Sequence, residues 1–282
     1  MSVVVVGSGN LDLVSQVERI PAPGETVLST GFATHAGGKG NNQATAAARA
    51  GARTTFVGAF GDDDHGARLR ASLTADGVRL LVRTSDEPTG TALITVSARG
   101  ENSIVVNPGA NATLLGLSEV ERAAVADASV VLMQLEIPLD TVTDAARTAR
   151  GTVILNAAPA RPLPHALLTD VDLLVVNEHE ATLLGDLLDV VPAVVVTLGA
   201  DGALIRTSDA EPVRVPGIPV DVVDTTGAGD TFCGALAARL DDGVALEPAV
   251  RFATAAAALS VRRAGAVPAI PTREEVDDFH RS

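Results

Sequence analysis

The chain contains no tryptophan and no tyrosine, and only six of its 282 residues are phenylalanine. Stacking on Trp or Tyr is therefore closed to any ligand, and a flat ring would have to rest on aliphatic side chains. The core itself must be built from Ala, Val and Leu. Cysteine occurs once, at Cys233, so no internal disulfide can form, and a reducing, cytoplasmic setting is expected. Positive charge is short as well: 21 Lys and Arg face 35 Asp and Glu, a formal net charge of −14. A surface of that sign repels a phosphate backbone, so no nucleic-acid partner is expected. Long apolar runs are missing. The first ends at Val6 with no basic stretch before it, and none reaches a membrane span, so neither a signal peptide nor a membrane partner is expected. Lysine occurs once, at Lys39 in Gly37-Gly38-Lys39-Gly40, against 20 arginines. Chance can leave one lysine anywhere, but a compact ammonium suits a site that wants a point charge rather than a guanidinium fork.

What is present is ordinary globular composition, 46% hydrophobic and 20% charged, and the length suits one large domain with at most a small appendage. Short β-branched runs recur at Val3–Val6, Thr55–Val57, Val130–Leu132, Val153–Leu155, Leu173–Val176 and Val194–Thr197. Each is too short for a helix and too continuously apolar for a sheet wetted on one face, so they predict strands of a mostly parallel sheet covered on both sides. Helices are expected between them, at Asn42–Ala50, Ala67–Ala75, Ser118–Ala126, Leu139–Ala149, Phe232–Leu240 and Pro248–Arg262. Ser118 with Glu121 three residues on has the spacing of a capping box. Strand–helix alternation over residues 1–282 predicts a single doubly wound α/β domain with helices on both faces. Two extended stretches interrupt it, about 13–34 and 91–106, the second turning at Arg99-Gly100-Glu101-Asn102 as a hairpin would. They are expected to form a small β appendage.

Two familiar nucleotide motifs are incomplete. Gly7-Ser8-Gly9 begins like a dinucleotide fingerprint, but Asp12 occupies the third glycine position and would face a pyrophosphate. Lys39 is followed by Gly40 and not by the Ser or Thr of a P-loop. The five histidines, at 35, 65, 165, 179 and 280, show no metal-ligand spacing. Asn111-Ala112-Thr113 is a glycosylation sequon without a secretory route, and is read as idle.

The positive signal is Asp224-Thr225-Thr226-Gly227-Ala228-Gly229-Asp230-Thr231-Phe232, leading into a helix. Glycines let backbone N–H groups converge, and the helix adds its positive end, so the segment is an anion hole with Asp230 at its lip. An Asp there is usually an N-cap. A cap needs no Gly-Ala-Gly before it, which favours a general base. Three polar clusters also fall at strand ends: Asn10 with Asp12, Gly37 to Asn42, and Asn177-Glu178-His179-Glu180. In open α/β sheets ligands lie outside the carboxyl ends of the strands, so one pocket can collect all three. Singly, Asn10 reads as a turn residue and Glu180 as a solvated helix face.

These segments, with Ala36-Gly37-Gly38-Lys39-Gly40-Asn41-Asn42-Gln43, Gln134-Leu135-Glu136, Ile154–Leu163 and Thr197-Leu198-Gly199, occur in an order that resembles the ribokinase (PfkB) family of carbohydrate kinases from Val3 to about Phe279. The resemblance implies ATP-dependent phosphorylation of a sugar's primary hydroxyl, D-ribose to D-ribose 5-phosphate foremost. Asn10, Asp12, Gly38 and Asn42 would hold the sugar, with Glu136 nearby and Lys39 as a phosphate contact. Asp230 would take the hydroxyl proton, and the amides of Gly227, Ala228 and Gly229 would cradle the moving phosphoryl group. Thr197, Gly199, Ala200, Gly202 and Gly229 would line the ATP site, with Thr254 near the nucleotide. Asn177 and Glu180 would organise Mg²⁺ largely through water. Asp224, with Thr226, Ser260, Arg263 and Gly265, would bind a monovalent cation such as K⁺. The appendage would be a lid over the sugar and a homodimer interface.

Two departures from the family pattern stand out. Only Ala181–Pro192 separates Glu180 from the next strand, a shorter segment than the family usually has. Ala269 stands where a hydroxyl residue often lies near the cation. The rival readings are a kinase for another sugar or a nucleoside, a sugar sensor without catalysis, and a nicotinamide oxidoreductase, the last weakened by Asp12.

Overall fold

Alternating side chains of a buried strand point to opposite faces of its sheet. In β1 (Val3–Val6), Val3 and Val5 join one apolar cluster while Val4 and Val6 join another. Both faces of the sheet are therefore covered, as the valine runs predict. A computed structural model describes residues 1–208 and 210–281; Asp209 and Ser282 lie outside the described residues, as do the side chains of His280 and Arg281.

After β1 come β2 (Asn10–Val17), β3 (Gly31–Gly37), α1 (Lys39–Arg49), β4 (Thr54–Gly61), α2 (Asp64–Ala75) and β5 (Arg79–Ser85). The hairpin β6 (Gly90–Ser97) and β7 (Asn102–Asn107) follows, then α3 (Glu119–Asp127), β8 (Val130–Met133), α4 (Leu139–Thr148), β9 (Thr152–Asn156) and α5 (His165–Leu168). Next are β10 (Leu173–Asn177), α6 (Glu178–Leu184), β11 (Ala193–Thr197), β12 (Gly202–Thr207) and β13 (Ala210–Pro216). The chain closes with α7 (Ala228–Asp241), α8 (Leu246–Ser260), α9 (Ala266–Ala269) and α10 (Arg273–Arg281).

The main sheet has the order β13-β12-β11-β10-β9-β8-β1-β4-β5, parallel except at the β12 and β13 edge. Strands β2, β3, β6 and β7 form a second, four-stranded sheet in the order β3-β2-β6-β7. The capping box at Ser118 and Glu121 forms as its spacing predicts. No helix among the described residues is long and apolar enough to cross a membrane.

The structure corrects several boundaries. Strands β5 and β13 are not among the predicted strands: they are edges, exposed or half-buried along nearly their whole length, so β13 carries no continuous apolar run and β5 only the short Leu80-Leu81-Val82 between two arginines. Asn10 is not a turn residue after β1: it begins β2, paired with Gly37 of β3, and Asp12 follows in the same strand opposite His35. Helix α7 starts at Ala228, four residues before the expected Phe232, and its N-cap is Gly227 at φ 75°. A left-handed cap suits glycine, and it places Asp230 inside the first turn, so the N-cap alternative for Asp230 is wrong.

Helices α1 and α7 cross in close contact. A Cβ at Gly234 would stand 2.4 Å from the Gln43 carbonyl oxygen and 2.5 Å from the Ala46 Cβ, so only glycine allows this approach. The crossing brings Asn42 and Gln43 against Asp230.

Candidate active site

Polar residues gather at the carboxyl ends of the parallel strands. Gln134 and Glu136 follow β8, Asn156 ends β9, Asn177 ends β10 and Thr197 ends β11. Together with Lys39, Glu180, Gly227, Gly229 and Asp230, the last three of these strand ends line a polar pocket of about 160 Å³. Thr197 and Gly229 also belong to a larger, mainly apolar cavity of about 380 Å³. Gly199, Ala200, Gly202 and Thr254 line that cavity, with Val220, Val222, Ala257 and Val261 supplying aliphatic walls. A flat ring can rest on these aliphatic walls, but the lining also includes Phe232, so the expectation of aliphatic contacts alone is corrected.

Asp230 is buried, and both its oxygens are held by neutral amides: Oδ2 accepts from Asn42 Nδ2 at 2.9 Å and Oδ1 from Gln43 Nε2 at 2.9 Å. Glu136 Oε2 accepts from Ser8 Oγ at 2.6 Å and from the Lys39 backbone N–H at 3.1 Å. Asp12 lies close to both carboxylates. Burial first, then Glu136 and Asp230, push its carboxyl up to about 7. Lys39 offsets this charge: burial pulls its ammonium down, but Asp230, Glu136 and Glu180 outweigh burial and hold it above the usual lysine range. Cys233 borders the pocket, and burial with Asp230 nearby drives its thiol well up, so it is no nucleophile.

Among the sequence-predicted residues, Asn42 bonds Asp230, and Asp12 is within electrostatic reach of Asp230 and Glu136. Asn10, Asp12, Gly38, Asn42 and Glu136 do not line the polar pocket itself; Thr197, Gly199, Ala200, Gly202, Gly229 and Thr254 share the adjoining cavity. The Gly-Ala-Gly turn lies between pocket and cavity. A Cβ on Gly229 would meet nothing within 4 Å, so its backbone is open to the pocket, in a first turn whose N–H groups lack helical partners. Ala228 differs: its N–H is engaged by the Thr225 carbonyl at 3.3 Å. Glu180 is not a solvated helix face. It is buried, with Oε2 accepting from the Asn177 N–H while Asn177 Oδ1 accepts from the Glu180 N–H, a reciprocal cap of α6.

The Asp224 set is partly assembled. Asp224 Oδ1 accepts from the Thr226 N–H and hydroxyl, and Oδ2 from the Gly265 N–H at 2.8 Å, joining the two loops. Burial raises the Asp224 carboxyl, but these bonds and His35 outweigh burial and leave it below its ordinary range. Ser260 and Arg263 meet through the Arg263 N–H and the Ser260 carbonyl at 3.2 Å. Ala269 is buried in α9 and brings only a methyl group.

Several site residues carry no sequence-level role. Gln43, Gln134 and Asn156 sit inside the motif runs quoted above, but only the fold shows their amides linked. Asn111, read as an idle sequon, is buried: its Nδ2 donates to Asn10 Oδ1 at 2.8 Å and its Oδ1 accepts from the Gly9 N–H. That contact turns the Asn10 amide so that its NH₂ remains for a ligand.

The pfkB family of carbohydrate kinases matches residues 1–273. A ribokinase of Bacillus subtilis is 42% identical, covering 99% of each chain. The structure of Arabidopsis thaliana ribokinase complexed with ribose and ATP superposes with a TM-score of 0.93 at 35% identity, over 100% of this chain and 99% of that one. A ribokinase structure from Thermotoga maritima gives 0.92 at 35% identity, over 100% of both. Fold, motif order and these likenesses agree: the chain belongs to the pfkB family of carbohydrate kinases.

Proposed function

We propose that the protein transfers the γ-phosphoryl group of ATP to the primary hydroxyl of D-ribose, giving D-ribose 5-phosphate and ADP. One observation carries the reading: Asp230, gripped by Asn42, lies in a polar pocket that meets an apolar cavity at Gly229. Acceptor and donor then approach the same turn from two sides. Asn10, Asp12, Gly38, Asn42 and Glu136 hold the sugar, and the aliphatic cavity holds the base of ATP. The C5 hydroxyl gives its proton to Asp230 as its oxygen bonds to the γ-phosphorus, while the bond from that phosphorus to the β,γ-bridging oxygen breaks and the oxygen leaves as part of ADP. The Gly227 and Gly229 amides stabilise charge on the phosphoryl oxygens without reorganising, and Lys39 adds a fixed positive charge.

Asn177 and Glu180 offer the hard oxygens that suit Mg²⁺, which neutralises phosphate charge when bound. The Asp224 carboxylate with the carbonyls of Thr226, Ser260, Arg263 and Gly265 is likewise an all-oxygen set fit for K⁺, whose charge would steady the loop before α7. The single buried thiol accords with a cytoplasmic setting.

The second sheet is read as a lid over the sugar and as a homodimer contact. Support comes from Phe32, Leu93, Ile104 and Val105, each more than half exposed on it. Sedimentation should show two chains per particle, and Ile104→Asp should shift the particle to one chain. A wild-type monomer overturns the dimer contact.

A deoxyribokinase of Salmonella typhi, 32% identical over 99% of this chain, makes 2-deoxy-D-ribose the second candidate substrate. ADP release measured with D-ribose, 2-deoxy-D-ribose, fructose and adenosine should be fastest per mole with D-ribose. A rate indifferent to D-ribose would sink the substrate assignment.

A further inference from the structure

The side chain that fixes Asp230 is itself fixed, and by chemistry that leaves no alternative. The Gln43 amide has two N–H groups and one carbonyl oxygen, and all three are used. Nε2 donates to Asp230 Oδ1 at 2.9 Å and to Asn156 Oδ1 at 3.0 Å, while Oε1 accepts from Gln134 Nε2 at 2.6 Å. A flipped amide would set Oε1 against two acceptor oxygens and Nε2 against a donor. Asn156 cannot turn to accommodate that, because its own Nδ2 donates to the Val175 carbonyl at 3.2 Å. Gln43 and Gln134 are fully buried.

The chain of amides is kept at a cost. Among the described residues, Gln134 Oε1 is a buried oxygen without a hydrogen-bond partner. An orphaned buried acceptor costs about 1–3 kcal/mol. Turning Gln134 to satisfy it would withdraw the donor from Gln43. Gly7 leaves the room for this arrangement, since a Cβ there would stand 2.0 Å from that same oxygen.

We propose that Gln43 is a positioning residue for the proton acceptor, locking the plane of the Asp230 carboxylate to the ends of strands β8 and β9 through Gln134 and Asn156. This rests on the reading of Asp230 as the base. Gln43 touches no substrate in this scheme. Its part is to keep one lone pair of Asp230 aimed at the incoming hydroxyl, where a misplacement of about 1 Å costs about 10²-fold in rate.

The test uses the full chain with D-ribose and ATP. Gln43→Met keeps length and apolar bulk but removes the donors. Its kcat should fall about 10–100-fold, with both KM values within about threefold of the parent. In an Asp230→Asn background the same change should lower kcat less than about threefold, because its target is gone. A folded Gln43→Met enzyme with parental kcat overturns the proposal. So does an equal loss in both backgrounds, which marks a merely structural role. If Gln43→Met does not fold, Gln134→Met takes its place, with an expected kcat loss of about 3–10-fold that again vanishes beside Asp230→Asn; no loss, or one that persists there, overturns the proposal. Activity surviving in the Asp230→Asn single variant would instead refute the base assignment, so the two failures are distinguishable.

Discussion

Asp230→Asn should lower kcat by about 10²–10⁴-fold while KM for D-ribose and ATP stays within about threefold. The substitution preserves shape and removes the proton acceptor. Gly227, not Asp230, caps α7, so no cap is lost with it. The strain arises elsewhere. Both Asp230 oxygens accept from amide N–H groups, so the new NH₂ must face either Asn42 or Gln43, donor against donor. That mismatch costs about 1–3 kcal/mol and should appear as a modest loss in Tm. Steady-state kinetics beside a thermal melt separates the two effects: the rate collapses while the protein stays folded. Full activity in a folded variant would remove Asp230 from the chemistry.

Asp12→Ala should act on binding instead. A sugar hydroxyl donating to a carboxylate is worth about 1.5–3 kcal/mol, and two such bonds make kcat/KM for D-ribose fall about 10²–10⁴-fold while KM for ATP is unchanged. In the parent enzyme the same group sets a pH dependence. Burial, Glu136 and Asp230 raise the Asp12 carboxyl from 3.8 to about 7. Between those values the folded chain holds a proton that the unfolded chain has lost, so this group's contribution to stability falls as pH rises from 3.8 to about 7. Sugar binding is expected to have the opposite sign, because an Asp12 that accepts hydrogen bonds from two sugar hydroxyls must be ionised. The ribose KM should therefore rise as pH falls below about 7, approaching tenfold per unit, and the Tm gain from ribose should be larger at pH 8 than at pH 6. Asp12→Asn should flatten both profiles. A ribose KM constant from pH 5.5 to 8 would show that Asp12 does not accept from the sugar.

The sheet was legible because a strand buried on both faces has no polar phase, and the valine runs of β1, β8, β10 and β11 say so directly. Edge strands β5 and β13 have mixed surroundings and leave no such mark beyond the short Leu80-Leu81-Val82 of β5. The glycine turn before α7 was legible because Gly227-Ala228-Gly229-Asp230 combines permissive backbone with a carboxylate in four residues, though not that the Ala228 N–H is engaged by the Thr225 carbonyl. The place of Asp230 inside the first turn of α7 was not legible, since the helix start depends on the left-handed cap at Gly227. Asn111 shows the limit most clearly. Its sequence context spells a surface modification site, yet it is buried against Asn10, 101 residues away. Hydrogen bonds of that range, like the Gln134–Gln43–Asp230 chain, exist only once the parallel strands bring their carboxyl ends together. Glu180 misleads in a similar way: a charged residue in a short helix reads as solvated until the cap with Asn177 turns it inward.

The most direct measurement is a crystal structure with D-ribose and a non-hydrolysable ATP analogue. The account predicts the ribose C5 hydroxyl oxygen at about 2.6–3.2 Å from an Asp230 carboxylate oxygen, with the γ-phosphate against the Gly229 N–H and adenine among Val220, Val222 and Ala257. A sugar whose primary hydroxyl points away from Asp230, or a triphosphate that never reaches the Gly227–Gly229 turn, would contradict it.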